Sequence, residues 1–328
     1  MKVRPCSVAI AVDLPPYAVR IDLDLGGMIA EDLAAPPRPD ALLLVIAVAG
    51  VSFSGPLMAA TAAPALAIAL WRNALGAGFA ASVLAARGLR SAGVDARAWL
   101  TSALAGLALA VHFATWVPSL TMTTVASATA LVCTQPVFTG LIALLLGRAL
   151  PRAAWIGIGV AMTGAVLITG ADLGLSARAL AGDVLALAGG LAAAVYVTIG
   201  ARARSRMSTA SYTTVCYATC AIVLLVACLI GRVRVVGFPA DAWLKIALVT
   251  VCAQLLGHSL INVVLRSTSP TVVSLVLLFE TPGAALVAYL WLHQHLRLSV
   301  VPGLVLLFAG LVLVVRGRGR DVPVEAID

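Results

Sequence analysis

From residue 41 onward the chain repeats one pattern: a continuous apolar run, a short polar break, then another run. Each run is about 20 residues long, the length an α-helix needs to cross ~30 Å of hydrocarbon. The predicted spans are 41–60, 65–86, 98–118, 122–146, 153–171, 182–201, 211–231, 243–265, 269–291 and 298–316. Apolar positions do not alternate with polar ones, which argues against a membrane β-barrel. Each span must satisfy its own backbone hydrogen bonds in the bilayer, and a helix does so where an open strand does not.

The runs fall into two sets. His112 and His258 lie 146 residues apart, as do Pro136 and Pro282, Gly157 and Gly303, and Gly164 and Gly310. One shared offset, with the apolar blocks in the same order, predicts a duplicated half. Five helices per half is an odd number, so the second half crosses the membrane in the opposite sense. The expected fold is an all-α integral membrane protein of ten transmembrane helices, built as two inverted five-helix repeats over 41–171 and 182–316. Such repeats have two near-equivalent packings, which many secondary transporters exchange to alternate access.

Residues 1–40 differ. They carry six of the fourteen acids (Asp13, Asp22, Asp24, Glu31, Asp32, Asp40). Their longest apolar run, Val8 to Val12, is shorter than a signal-peptide core of about 7–15 residues. The stretch reads as a disordered cytoplasmic tail. Met28 is an alternative start, in which case the residues before it are a gene-start artefact. Residues 317–328 read as a second cytoplasmic tail.

Composition agrees with a bilayer as the main solvent. The chain is 62% hydrophobic and 11% charged, with mean hydropathy +1.06. Soluble domains hold about 25% charged residues. The net charge of +8 follows from a cytoplasmic excess of Arg and calls for no nucleic acid. With the N-terminus inside, the inner loops and C-terminus hold Arg87, Arg90, Arg97, Arg148, Arg152, Arg202, Arg204, Arg206, Arg266, Arg316, Arg318 and Arg320. The outer loops hold Arg178, Arg232, Arg234, Lys245 and Arg297. Both termini are therefore expected in the cytoplasm. Cys133, Cys216, Cys220, Cys228 and Cys252 sit in apolar runs, where Cys packs as a small hydrophobe.

Few residues within the spans carry chemistry. Glu280 is the only acid deep within them, since Asp183 stands at the start of its span; it lies about 16 Å from the start of its helix at ~1.5 Å per residue and so near the midplane. An intramembrane carboxylate is a functional candidate by default; the alternative is a buried structural partner. Gln254, His258 and Asn262 form a polar stripe at helical spacing. His112 and Trp116 form the matching pair in the first half, on one helix face. Either these residues line a cavity or they are satisfied core groups. Gln135-Pro136 and Thr281-Pro282 predict helix kinks that free the carbonyls of Val132 and Leu278. Arg72, in LWRNALG, either snorkels to the outer surface or pairs with an anionic solute or a helix end. The paired glycines read as close-packing sites.

The chain has no GxxxxGK[ST] phosphate loop, HExxH or GxSxG. No cofactor or metal is expected.

Several stretches resemble the drug/metabolite transporter superfamily, specifically EamA-type permeases with two tandem five-helix repeats. These are APALAIALWRNALGA, ALVCTQPVFTGLIALLLG followed by WIGIGVAMTGAVLI, GDVLALAGGLAAAVYV, and SPTVVSLVLLFETPGAALVAYLWL with GLVLLFAGLVLVV. The chain departs where the family has a Glu ending helices 4 and 9, since Arg148 and Gln294 stand there. The resemblance implies a central path lined by helices 1, 3, 4, 6, 8 and 9. In this chain those helices bring Ser52, Ser54, His112, Trp116, Gln135, Tyr196, His258, Asn262 and Glu280. It implies ATP-independent transport of small metabolites, commonly export of amino acids or related solutes, in the inner membrane. The drive is either the proton gradient or facilitated diffusion. A non-transporting scaffold or receptor and an intramembrane enzyme are the alternatives. The enzyme would need a nucleophile beside the acid and the two histidines, and none is placed there.

Overall fold

The computed structural model describes residues 7–14, 17–24, 38–86, 96–123, 125–146, 151–169, 177–265, 267–268, 270–292 and 300–317. Met28, Arg87, Arg90, Arg148, Arg266, Gln294, Arg297 and the tail from 318 onward lie outside the described residues. The N-terminal stretch, expected to be disordered, holds two antiparallel strands, β1 (Ser7–Leu14) and β2 (Tyr17–Asp24), paired from Ser7–Asp24 to Leu14–Tyr17. β-branched residues at alternate positions in VAIAVDL and YAVRIDLD suit a strand.

The rest of the described chain is helical. It comprises α1 (Arg38–Ser52), α2 (Ser54–Ala59), α3 (Ala65–Ala86), α4 (Ala96–Ser119), α5 (Val125–Val132), α6 (Gln135–Leu145) and α7 (Arg152–Thr169) in the first half. The second half has α8 (Ala177–Arg204), α9 (Thr209–Ile230), α10 (Ala240–Val249), a π-helical segment (Thr250–Ser259), α11 (Leu260–Val264), α12 (Pro270–Leu277), α13 (Glu280–Leu292) and α14 (Val300–Gly317). Among the described residues six helical stretches are long and apolar enough to cross a membrane: Pro39–Ala59, Ala65–Ala86, Ala96–Ser119, Leu180–Arg204, Thr209–Ile230 and Ala240–Val264. The other four crossings are α5 with α6, α7, α12 with α13, and α14. These elements coincide with the ten predicted spans.

Four of the crossings are irregular, and each irregularity has a local cause. The expected kinks at Pro136 and Pro282 are interruptions: α5 stops at Val132 and α6 starts at Gln135, while α12 stops at Leu277 and α13 starts at Glu280. Proline lacks an N–H and fits the first turn of a helix, where no intrahelical partner is needed. The chain therefore restarts the helix just before each proline. A third interruption at Phe53 separates α1 from α2 and precedes Pro56 by three residues. In the eighth crossing, the π-segment widens the helix around Gln254 and His258; the Ser259 hydroxyl donates to the Gln254 carbonyl at 3.0 Å.

The packing follows the duplication. α7 lies along α14, α3 along α9, α4 along α8, and α1 along the π-segment. A twofold that exchanges the halves maps each of the first two pairs onto itself and swaps the other two. α5 packs on α13 and α6 on α12, so the two interrupted helices cross near their breaks. Small residues permit the closest approaches, as they do between membrane helices generally. A Cβ at Gly310 would lie 2.5 Å from the Ala161 nitrogen and 2.6 Å from the Gly157 carbonyl oxygen. A Cβ at Gly50 would strike the Cys252 carbonyl, and one at Gly257 would meet Val51 at 2.5 Å.

Gly310→Leu is expected to lower stability by about 1–3 kcal/mol, because backbone blocks the new side chain. Gly78→Ala, where a Cβ meets nothing within 4 Å, is expected to be neutral or to stabilise its helix by up to ~1 kcal/mol. Thermal unfolding of the purified protein in detergent separates the two, and equal melting temperatures would contradict the packing described.

Candidate functional site

The irregular points converge on one central cavity. Its wall comes from Val51 (α1), Ser54 (α2), His112 and Trp116 (α4), Val132 (α5), Cys133, Gln135 (α6), Ala193, Tyr196 and Val197 (α8), His258 (π-segment), Ile261 (α11), Leu277 (α12) and Glu280 (α13). Both halves contribute, through crossings 1, 3, 4, 6, 8 and 9.

The aromatic side is a stack of rings. His112 lies over Trp116 with centroids 5.5 Å apart and planes 22° apart. His112 and His258, equivalent in the two repeats, meet at 6.5 Å. His258 also touches Phe113 at 5.7 Å and Tyr196 at 6.1 Å. His112 Nδ1 lies 3.0 Å from the Gly189 carbonyl. A carbonyl only accepts, so this nitrogen carries the hydrogen. Gly189 and Gly190 let α8 approach: a Cβ on the first would lie 3.0 Å from Trp116 Cβ, and one on the second 3.0 Å from the Val132 oxygen.

The opposite side is where the interrupted helices cross. The Thr281 hydroxyl donates to Cys133 Sγ at 3.3 Å, and Cys133 Sγ lies 3.8 Å from the Leu277 carbonyl. These contacts join the two breaks across the repeat. Glu280 opens α13 here, half-buried and facing the cavity. An acidic group in the first turn of a helix is favoured by the helix dipole. Its carboxylate has no hydrogen-bond partner among the described residues.

Behind the wall runs a polar belt. Arg72 is fully buried. Its Nη1 donates to Ser54 Oγ at 3.1 Å and its Nε to Gln254 Oε1 at 3.1 Å. The guanidinium lies over the Phe113 ring at 4.4 Å. Gln254 Nε2 donates to Asn73 Oδ1 at 3.0 Å. Asn262 Nδ2 donates to the hydroxyls of Tyr196 at 3.0 Å and Tyr217 at 3.2 Å, and Tyr217 reaches Ser259 at 3.2 Å. Arg204, also fully buried, donates to the carbonyls of Asn262 and Met207 at 2.7 Å each and to Thr209 Oγ1 at 2.6 Å.

Seven of the residues singled out from sequence thus line the cavity together: Ser54, His112, Trp116, Gln135, Tyr196, His258 and Glu280. Pro136 and Pro282 sit beside it at the helix restarts. Arg72, Gln254 and Asn262 stand one layer back in the belt and position the wall. Arg72 does not snorkel. Ser52 bonds the Val48 carbonyl at 2.8 Å and packs against Gly283, away from the lining. Arg204, Tyr217 and Asn73 drew no attention in the sequence. Arg204 there is one of several arginines after a span, and Tyr217 stands between packing cysteines in an apolar run. Among the described residues no group of His, Cys, Asp and Glu is placed to hold a metal ion.

A membrane protein of two inverted helical repeats, closed around a cavity that both repeats line, has the architecture of a transporter. A family model described as the EamA-like transporter family matches residues 39–170 and again 180–316, and the chain belongs to that family. It is thus a multi-pass membrane transporter of the drug/metabolite superfamily, acting on small-molecule solutes. A crystal structure described only as "Crystal structure of protein" is similar with a TM-score of 0.70. That likeness covers 87% of this chain and 99% of the other at 17% identity, and concerns the fold alone. No curated protein matches the chain significantly.

Arg204→Leu would strip two buried carbonyls and a hydroxyl of their partner, at about 1–3 kcal/mol for each group left unpaired. Arg206, two residues on and exposed, is expected to be worth less than ~0.5 kcal/mol on substitution by Ala. Thermal unfolding of both variants checks this; equal losses would show that the belt does not hold the bundle.

Proposed function

We propose that the protein is a secondary transporter of the inner membrane, with both termini in the cytoplasm. It exports amino acids or related small solutes by alternating access, without ATP. The observation that carries this reading is Glu280: an intramembrane carboxylate without a hydrogen bond among the described residues, at the crossing of two interrupted helices, in a cavity lined by both repeats. Such a carboxylate is costly in hydrocarbon unless it is neutral, paired or wet. It therefore alternates between a proton and a cationic group of the solute, which exchanges inward protons for outward solute.

The helix breaks supply the moving parts. Interrupted helices near the midplane are common at transporter sites, where freed backbone groups line the cavity. The cavity is about 40 Å³, room for roughly three waters at ~10–15 Å³ each. Admitting an amino acid requires the halves to part. The crossing at Cys133 and Thr281 is the contact they would rearrange. The Arg excess in the predicted inner loops supports cytoplasmic termini.

In proteoliposomes with an imposed pH gradient, Glu280→Gln is expected to abolish gradient-driven transport. Arg72→Lys keeps its charge and is expected to retain more activity. Equal gradient-driven transport by wild type and Glu280→Gln would remove the proton role. Accumulated solute with no pH dependence in either protein would leave a facilitator instead.

A further inference from the structure

Three nitrogen atoms around the ring stack are buried and have no hydrogen-bond partner among the described residues: Arg72 Nη2, Trp116 Nε1 and His258 Nδ1. They belong to one cluster. The Arg72 guanidinium lies 4.4 Å from the Phe113 centroid, Phe113 lies 5.7 Å from His258, and His258 reaches Trp116 through His112, at 6.5 Å and then 5.5 Å. Trp116 and His258 line the cavity, and Arg72 reaches its wall through Ser54. Unsatisfied buried donors are costly and rare in native proteins. Indole nitrogen only donates, a guanidinium only donates, and His258 donates in one of its tautomers. Arg72 makes no salt bridge with an acid among the described residues, and Glu280 acts on its charge only through space.

The geometry points to an oxyanion subsite in which Trp116 and His258 at the cavity wall, with the Arg72 charge one layer behind them, take the carboxylate of the transported solute. This rests on the transporter reading above and deepens it. Glu280 lines the same cavity as Trp116 and His258, so the solute carries both a cationic group and a carboxylate. Among the described residues, the lining apart from Glu280 holds no acid and no Lys or Arg, so it offers no ion-pair partner to a charged side chain.

The test uses the full chain in nanodiscs, with thermal stabilisation read for alanine, leucine and phenylalanine, for their amides, and for the matching decarboxylated amines. The amides and amines keep the ammonium that faces Glu280 and lack only the carboxylate. Acids are expected to bind roughly tenfold or more tightly than their amides, the discrimination a charge-assisted hydrogen-bond set provides. Arg72→Gln is expected to erase that preference. Trp116→Phe, which keeps the stack and deletes one N–H, is expected to reduce it, and this variant guards against misfolding of the first. Acids and amides that stabilise equally, or an acid preference that survives in both variants, would overturn the subsite and leave the transporter reading standing. No stabilisation by any compound would overturn the subsite together with amino acids as the solute class.

Discussion

Hydrocarbon offers a polar group no partner, and that constraint governs this molecule at every level. The backbone answers by becoming helix almost throughout. The side chains answer with one belt that ties Ser54, Arg72, Gln254 and Asn73 together on one side, and Tyr196, Tyr217, Ser259, Asn262 and Arg204 on the other. The Gln254 carbonyl, bonded by the Ser259 hydroxyl across the π-turn, joins the two parts. A long-range network of this kind specifies one arrangement of helices in a core where apolar side chains alone have many alternatives.

Where the constraint is relaxed, the molecule is irregular and hollow. The interruptions at Phe53, Cys133 and Leu278, together with the π-segment, all abut the central cavity. Each proline that breaks a helix also removes an N–H, so the break is tolerated only beside protein groups that can turn to it or beside a cavity. The same places hold Glu280 and the unpartnered nitrogens of Trp116 and His258. Structural irregularity and chemical potential therefore coincide, as expected of a site retained at some cost in stability.

Symmetry frames this site and its breaking defines it. The two histidines meet because an inverted repeat brings equivalent positions to its axis. Four residues further on, the equivalent positions hold Trp116 and Asn262. One faces the cavity and the other anchors the belt. Glu280 stands where the first half has Thr134, so the cavity has a single acidic pole. An exactly symmetric cavity would have no reason to prefer one orientation of a solute.

The spans, the duplication and the equivalence of His112 with His258 were legible in the sequence, because apolar length and a constant offset are local or additive properties. Glu280 stood out for the same reason: a lone acid in an apolar run is visible without any neighbour. The roles of Arg72, Gln254 and Asn262 were not legible. Helical spacing says which residues share a face, but not whether that face meets a cavity or another helix. Arg204 looked like a solvent-facing charge after a span, and only the fold shows it buried against carbonyls of two elements. The sequence by itself thus determined how many times the chain crosses the membrane, in what repeated order, and that Arg72, His112, His258 and Glu280 lie within the spans. The tertiary structure decided which of those groups find partners and which are left facing one another across the cavity, since hydrogen bonds between residues up to 182 positions apart depend on packing that no local pattern records.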